Sequence, residues 1–378
     1  MTTGAQGELR IALLTYSSKP RGGVVHTLAL AEALAALGHD VHVWTLARGG
    51  DVRFFRPVDP AVTVHAVPFP GVDGEEVGAR ILRSIAALAE AFARVRTGYD
   101  VVHAQDCISA NAVMAAGVPC VRTIHHLDTF TTPELAACHE RAVTRPAARI
   151  CVSEAVAAEV RQGWGLAPSV IANGVDAERF EAGAADTAGR TRWAEKLGPY
   201  VLALGGIEPR KGSIDLLEAY AMLRRRRPEL RLVFAGGETL FDYRDYRREF
   251  ERRAGQLAVD HEVLGAVDHV DLPSLVAQAE ALAFVSTKEG FGLAAMEALA
   301  AGVPVVARDL PVLREGFGSA VAYADSPLGI AAALATAVTS PPPPSVGRAL
   351  ARSYTWERAA RSHVAFYEAH LAGRLPAR

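Results

Sequence analysis

Two glutamates and a basic pair offer this chain most of its chemistry. Lys288-Glu289-Gly290-Phe291-Gly292-Leu293-Ala294-Ala295-Met296-Glu297 follows an apolar stretch, Ala281–Ser286, that reads as a strand, and it turns into a helix. Glu289 falls in the turn and Glu297 within the helix, about 80° apart around an ideal helix, so the two carboxylates reach different parts of one extended ligand. A carboxylate accepts hydrogen bonds from two vicinal hydroxyls, as on a ribose or a hexose. Glu297 stands among Leu293, Met296 and Leu299, a costly place for an unpaired charge. The alternative is that Glu289 complements the helix start and Glu297 reaches to solvent.

Gly205-Gly206-Ile207-Glu208-Pro209-Arg210-Lys211-Gly212 also joins a strand, Tyr200–Leu204, to a helix opening at Ser213. Two cations at a helix N-terminus oppose its macrodipole at about 0.3–1 kcal/mol each. Arg210 and Lys211 therefore imply an anion beside them, unless they are simply a solvated pair. Gly22-Gly23 occupies the matching turn near the N-terminus. Glycines there let backbone N–H groups approach an anion, or serve only a tight turn. His125-His126 ends another strand, Pro119–Ile124, where an imidazole bonds a sugar hydroxyl or moves a proton; a structural histidine is the alternative. His103 and Asp106 are weaker candidates of the same kind, and Asn173-Gly174-Val175-Asp176 reads as a turn at a hinge. Gly290, Gly292 and Ala295 also satisfy G-x-G-x-x-A, with Asp309 about 20 residues beyond, which formally allows a dinucleotide. Glu289 beside a pyrophosphate argues against that reading. No Gly-x-Ser-x-Gly elbow or Walker loop occurs, which removes serine hydrolase and P-loop chemistries.

The elements that must carry these turns alternate regularly. Ile11–Thr15, a helix over Val24–Leu37 and Val41–Leu46 form a βαβ unit, which implies a parallel sheet with right-handed crossovers. Further strands are predicted at Val62–Val67, Asp100–His103, Ala148–Val152 and Ser169–Ala172, with a long helix over Glu76–Arg96. The Ala/Gly-rich stretch Glu181–Arg190 lacks apolar periodicity and reads as a connector. The alternation then restarts, with strands at Arg231–Ala235, Glu262–Leu264 and Val303–Ala307. Pro341–Pro344 marks a second linker, and Trp356–Leu371 is an amphipathic terminal helix. The expected domains are residues 1–185, 186–355 and a terminal helix 356–378. In open α/β sheets ligands lie beyond the carboxyl ends of the strands, so two such domains imply a cleft.

At 378 residues the chain suits two domains. Its 40 basic and 42 acidic residues give no electrostatic reason for a nucleic-acid partner. The N-terminus has no apolar core for a signal peptide, and no uninterrupted apolar run is long enough to span a membrane. Cys107, Cys120, Cys138 and Cys151 are too dispersed for a zinc set, so reduced thiols in a cytoplasmic protein are expected.

Taken in order, these pieces resemble the retaining GT-B glycosyltransferases of family 4 (glycosyl transferases group 1). The carriers are Gly22-Gly23, Thr123-Ile124-His125-His126, Val152-Ser153-Glu154, Asn173-Gly174-Val175-Asp176, Pro209-Arg210-Lys211-Gly212, Gly236-Gly237, and Glu289 with Glu297. The resemblance implies two Rossmann-like domains facing across a cleft, the first on the acceptor side, the second holding a nucleotide-sugar donor, and a C-terminal helix crossing back to the first. By position, Lys211 binds the donor diphosphate and Gly22-Gly23 adds backbone N–H groups. Glu297 holds the ribose hydroxyls. Glu289 and the backbone at Phe291, Gly292 and Leu293 hold the transferred sugar, which His125 contacts near the reacting carbon. Many members carry an arginine where this chain has Gly206; Arg210 is its expected substitute. The implied activity is hexosyl transfer from a nucleoside-diphosphate sugar to an acceptor hydroxyl, with no metal or other cofactor. The acceptor is a glycan, lipid or small molecule, with peripheral membrane contact allowed. A catalytically idle sugar-nucleotide binder and an NAD-dependent oxidoreductase are the alternatives.

Overall fold

The first strand shows how the chain sorts its apolar residues. In β1 (Arg10–Leu14), Ile11 and Leu13 point to one face of the sheet and Ala12 and Leu14 to the other. Both faces are covered, as a parallel sheet requires. Leu28 and Leu34 of the helix Gly22–Ala36 join the first face, and Leu88 and Phe92 of the helix Val77–Ala93 join the second.

The computed structural model describes residues 7–50, 52–130, 132–237 and 243–374, and the chain divides into two units. In the first, β2 (Asp40–Arg48), β3 (Val62–Phe69), β4 (Val101–Ala104), β5 (Val121–Ile124), β6 (Ala148–Cys151) and β7 (Ser169–Val170) join β1 in the order β3-β2-β1-β4-β5-β6-β7. Every pairing is parallel; Ile11, for example, lies between Val41 and Val101. The order reverses at β1/β4. The second unit repeats the plan with β8 (Tyr200–Leu204), β9 (Arg231–Ala235), β10 (Glu262–Val263), β11 (Ala281–Phe284), β12 (Val305–Ala307) and β13 (Ala322–Tyr323). Its order is β10-β9-β8-β11-β12-β13, again all parallel, and reverses at β8/β11. Such reversals open a crevice at the carboxyl ends of the strands. The turns that carry Arg210, Lys211 and Glu289 follow β8 and β11.

The terminal helix Trp356–Leu371 places Ala360, Val364 and Tyr367 in the core that contains Ile11 and Leu28, so it belongs to the first unit. The boundary is not at 185/186. The second unit begins at Val175, and the expected connector is helical: Ala177–Ala185 and Thr187–Leu197 are each opened by an aspartate, Asp176 or Asp186, that accepts a backbone N–H. What reads as linker composition is small-residue packing. Ala177, Phe180 and Gly183 are buried, and Gly183 lies against Pro273. The proline-rich segment likewise leads straight into a helix, Pro344–Ser353. The two-residue β13 is not among the strands expected from the sequence. Among the described residues the four cysteines are free, and no helix is long and apolar enough to cross a membrane.

Candidate functional site

In the second unit, the turn after β8 closes as a short 3₁₀ segment, Pro209–Lys211, ended by left-handed Gly212. It is clamped to the turn after β11, where the Thr287 backbone N–H donates to the Arg210 carbonyl at 2.7 Å. That clamp brings three predicted residues together. Lys211 Nζ lies 2.7 Å from Glu289 Oε1, and Arg210 Nη1 donates to the same oxygen and to the Lys288 carbonyl, both at 3.2 Å. The anion beside the two cations is therefore, in this structure, the chain's own Glu289. All three side chains are mostly buried, with 20%, 24% and 12% of Lys211, Arg210 and Glu289 exposed. Gly205, Gly206 and Ser286 line a pocket with Lys211.

Gly206 has a steric reason to lack a side chain. A Cβ there would stand 2.8 Å from the Gly237 carbonyl oxygen, closer than ordinary contact allows. Behind the turn, buried Arg308 donates to the Val285 and Asp325 carbonyls and pairs with Asp215 at 2.5 Å. The sequence reading did not single out this brace; an isolated arginine just past an apolar strand was its signal.

Gly292 caps the helix Leu293–Ala301 at φ 96°, and a Cβ there would stand 2.7 Å from the Phe317 ring. Only glycine adopts that conformation readily. Phe291 is buried against Tyr354, ring centroids 5.3 Å apart, while Leu293 is half-buried at the helix start. Glu297, in the second turn, is half-buried, and burial pushes its carboxyl up to about 7, with Asp176 adding and Arg179 opposing. A carboxylate so placed has differential energy to gain from new hydrogen-bond donors.

In the first unit, Gly22 and Gly23 are the opening residues of the helix after β1. A Cβ on Gly23 would meet the His125 ring at 3.5 Å, so glycine and imidazole are in contact distance of one another. His125 follows β5, and its Nε2 is buried without a hydrogen-bond partner. Burial, with His26 and Arg122 nearby, holds His125 well below the ordinary imidazole range, so it is neutral at pH 7. His26, not predicted, stacks edge-on at 4.7 Å and is fixed by Asn173 Oδ1 at 2.9 Å. Asn173 thus acts as a support for an imidazole. Two weaker candidates are structural. His103 is fully buried between the Tyr367 hydroxyl and Thr123 Oγ1, both at 2.7 Å. Asp106 caps the helix Cys107–Ala115 and also accepts the Tyr16 N–H. His126 pairs with Asp128 at 2.8 Å. The dinucleotide reading loses its acidic residue, because Asp309 is ion-paired with Arg314.

Comparison with known proteins agrees with this layout. Residues 20–179 match the family described as Glycosyltransferase Family 4, and residues 190–341 match Glycosyl transferases group 1. A D-inositol 3-phosphate glycosyltransferase of Geodermatophilus obscurus is 30% identical over 95% of this chain and 89% of its own length. A glycogen synthase of Mycobacterium tuberculosis is 31% identical over 88% of this chain and 86% of its own. Among solved structures, the sucrose-phosphate synthase of Thermosynechococcus elongatus superposes with a TM-score of 0.78 at 20% identity, covering 97% of this chain and 100% of that one. Anabaena HepE, solved with UDP and glucose, gives 0.75 at 19% identity over 96% and 100%. The two parallel sheets, each with its reversal beside a glycine-rich turn, are thus those of a GT-B protein, and the chain belongs to the family 4 (group 1) glycosyltransferases.

Proposed function

We propose that this glycosyltransferase moves a hexose from a nucleoside-diphosphate sugar to an acceptor hydroxyl with retention of anomeric configuration. The observation that carries the reading is the convergence of Lys211 and Arg210 on one oxygen of Glu289 at the β8/β11 reversal. A departing nucleoside diphosphate gains negative charge, and preformed cations compensate it without reorganisation. Lys211 supplies a point charge and Arg210 a planar fork. Arg210 stands in for the arginine that Gly206 lacks, since its guanidinium is turned toward Glu289 and away from bulk solvent. Glu297 accepts the ribose hydroxyls in this scheme. Glu289, with the backbone at Phe291, Gly292 and Leu293, holds the hexose.

His125, neutral and with Nε2 unsatisfied, is suited to bond a sugar hydroxyl and unsuited to carry charge. No protein base is assigned: the leaving phosphate oxygen takes the acceptor proton, so the new glycosidic bond forms on the face where the old one breaks. HepE, solved with UDP-glucose, makes UDP-glucose the first donor to try. Donor turnover and the anomeric coupling constant of the product, measured by NMR, test the reading. Lys211→Ala should remove transfer, at about 2.7–4 kcal/mol for loss of a transition-state donor, and Glu297→Ala should remove it by taking away the acceptor for the ribose hydroxyls, while the thermal transition survives in both. Undiminished turnover in both would refute it.

A further inference from the structure

Tyr16, two residues beyond β1, is enclosed by cations. Arg48 ends β2 and holds its guanidinium 5.3 Å from the Tyr16 ring and 5.4 Å from the Phe69 ring. Arg21, at the start of the helix Gly22–Ala36, lies 5.8 Å from the Tyr16 ring and donates Nη1–H to its hydroxyl at 2.5 Å. Arg80 is coupled to the same group: Arg48 Nη2 donates to Ser84 Oγ, which donates to the Arg80 carbonyl. Arg48 Nε is buried without a hydrogen-bond partner.

The carboxylates nearby are engaged elsewhere. Asp106 accepts the Tyr16 and Ser109 backbone N–H groups at 2.8 and 2.7 Å. Glu75 is held by both sides of the Arg83 fork at 2.6 and 2.8 Å. Among the described residues, no carboxylate hydrogen-bonds to Arg21 or Arg48. A guanidinium on an aromatic face gains about 0.5–2 kcal/mol, but two on one ring repel each other, and the charges of Arg80 and Arg21 disfavour that of Arg48. The helix at Gly22 adds partial positive charge, having Arg21 at its N-cap and no acidic residue in its first turn. All this lies at the carboxyl ends of β1 and β2, beside that of β4, where a parallel sheet places its ligands.

We infer that Arg21, Tyr16 and Arg48 form an anion subsite for a phosphomonoester. Two guanidinium forks suit the oxygens of a dianionic phosphate, and the Tyr16 hydroxyl between them adds a polar contact. The assignment of that phosphate to the acceptor substrate rests on the transferase reading above; the site itself does not.

The full-length Lys211→Ala protein, lacking the proposed donor-phosphate contact, is titrated calorimetrically with inorganic phosphate. Saturable binding is expected, weakened at least about tenfold, or 1.4 kcal/mol, by adding Arg48→Gln or Arg21→Gln and partly retained in Arg48→Lys. Melting curves establish that each variant folds, and Arg21→Gln serves should Arg48→Gln not fold. No saturable binding, or phosphate affinity indifferent to both arginines, overturns the inference. With Lys211 intact, UDP affinity is expected to be the same with and without Arg48→Gln. Failure of the parent chain to bind UDP, with arginine-dependent phosphate binding retained, would sink the donor reading and leave the subsite standing. Glycerol 3-phosphate and phosphatidic-acid vesicles run in parallel separate a soluble ester from a lipid one, and arginine-dependent binding of either supports the site.

Discussion

Lys211 and Glu289, 78 positions apart in the chain, meet at 2.7 Å between the turns that follow β8 and β11. Both side chains are mostly buried, so the cost of desolvating the two charges offsets much of their attraction and the pair by itself adds little to stability. Its consequence is electrostatic. Glu289 neutralises part of the charge that a diphosphate would meet, so a ligand without the sugar finds the cations already compensated.

Replacing Glu289 with Gln should accordingly strengthen binding of a nucleoside diphosphate while weakening hexose transfer. Removal of one like charge about 4 Å from the ligand is worth about 1 kcal/mol in a water-like dielectric, roughly a fivefold gain. Calorimetry with UDP alongside donor turnover reads the two effects separately; a loss of UDP affinity would contradict this role for Glu289.

In the scheme proposed above, Glu297 should make donor binding pH-dependent. Its carboxyl is raised to about 7 by burial, and hydroxyl donors favour the ionised form. Donor affinity should therefore rise as pH increases through about 7, and Glu297→Gln should bind more weakly with that dependence removed. Titration of UDP-glucose from pH 6 to about 8 checks it.

The same shift acts on stability with the opposite sense. A carboxyl raised in the folded state destabilises above its unfolded value, near 4.5, and the penalty is complete above about 7. Glu297→Gln should stabilise the second unit at alkaline pH, on the order of 2 kcal/mol, and hardly at all near its unfolded pKa. Urea unfolding followed by Trp193, the tryptophan of that unit, is the measurement.

The first unit should respond to acid instead. Burial lowers His26 to about 3 and His363 to about 4, and holds His103 well below its ordinary 6.5. Folded histidines with depressed values resist protonation, so stability falls as pH drops from 6.5 toward 4. The fluorescence transition of Trp44, Trp164 and Trp356, all in this unit, should move to lower urea over that window. His26→Gln should flatten the slope.

Installing the arginine that many relatives carry should not help. Gly206→Arg places a Cβ against the Gly237 carbonyl, a strain costing about 1–3 kcal/mol. A lower melting temperature without a gain in kcat is expected.

The sequence by itself determined the repeated strand–turn–helix units, because apolar runs bounded by glycines leave few other folds. It also determined Arg210, Lys211, Glu289 and Glu297, whose charge is out of place at a helix start or among leucines. Tertiary structure decided what those residues face. The Thr287–Arg210 hydrogen bond that joins two turns far apart in the chain cannot be read from local pattern, nor can the His26–Asn173 support of the imidazole beside Gly23. The domain boundary eluded the sequence for a related reason. Ala177, Phe180 and Gly183 resemble a linker until Pro273 and its helix supply the surface they pack on. Local periodicity records which residues prefer to be buried; the partners that bury them are set by long-range strand order.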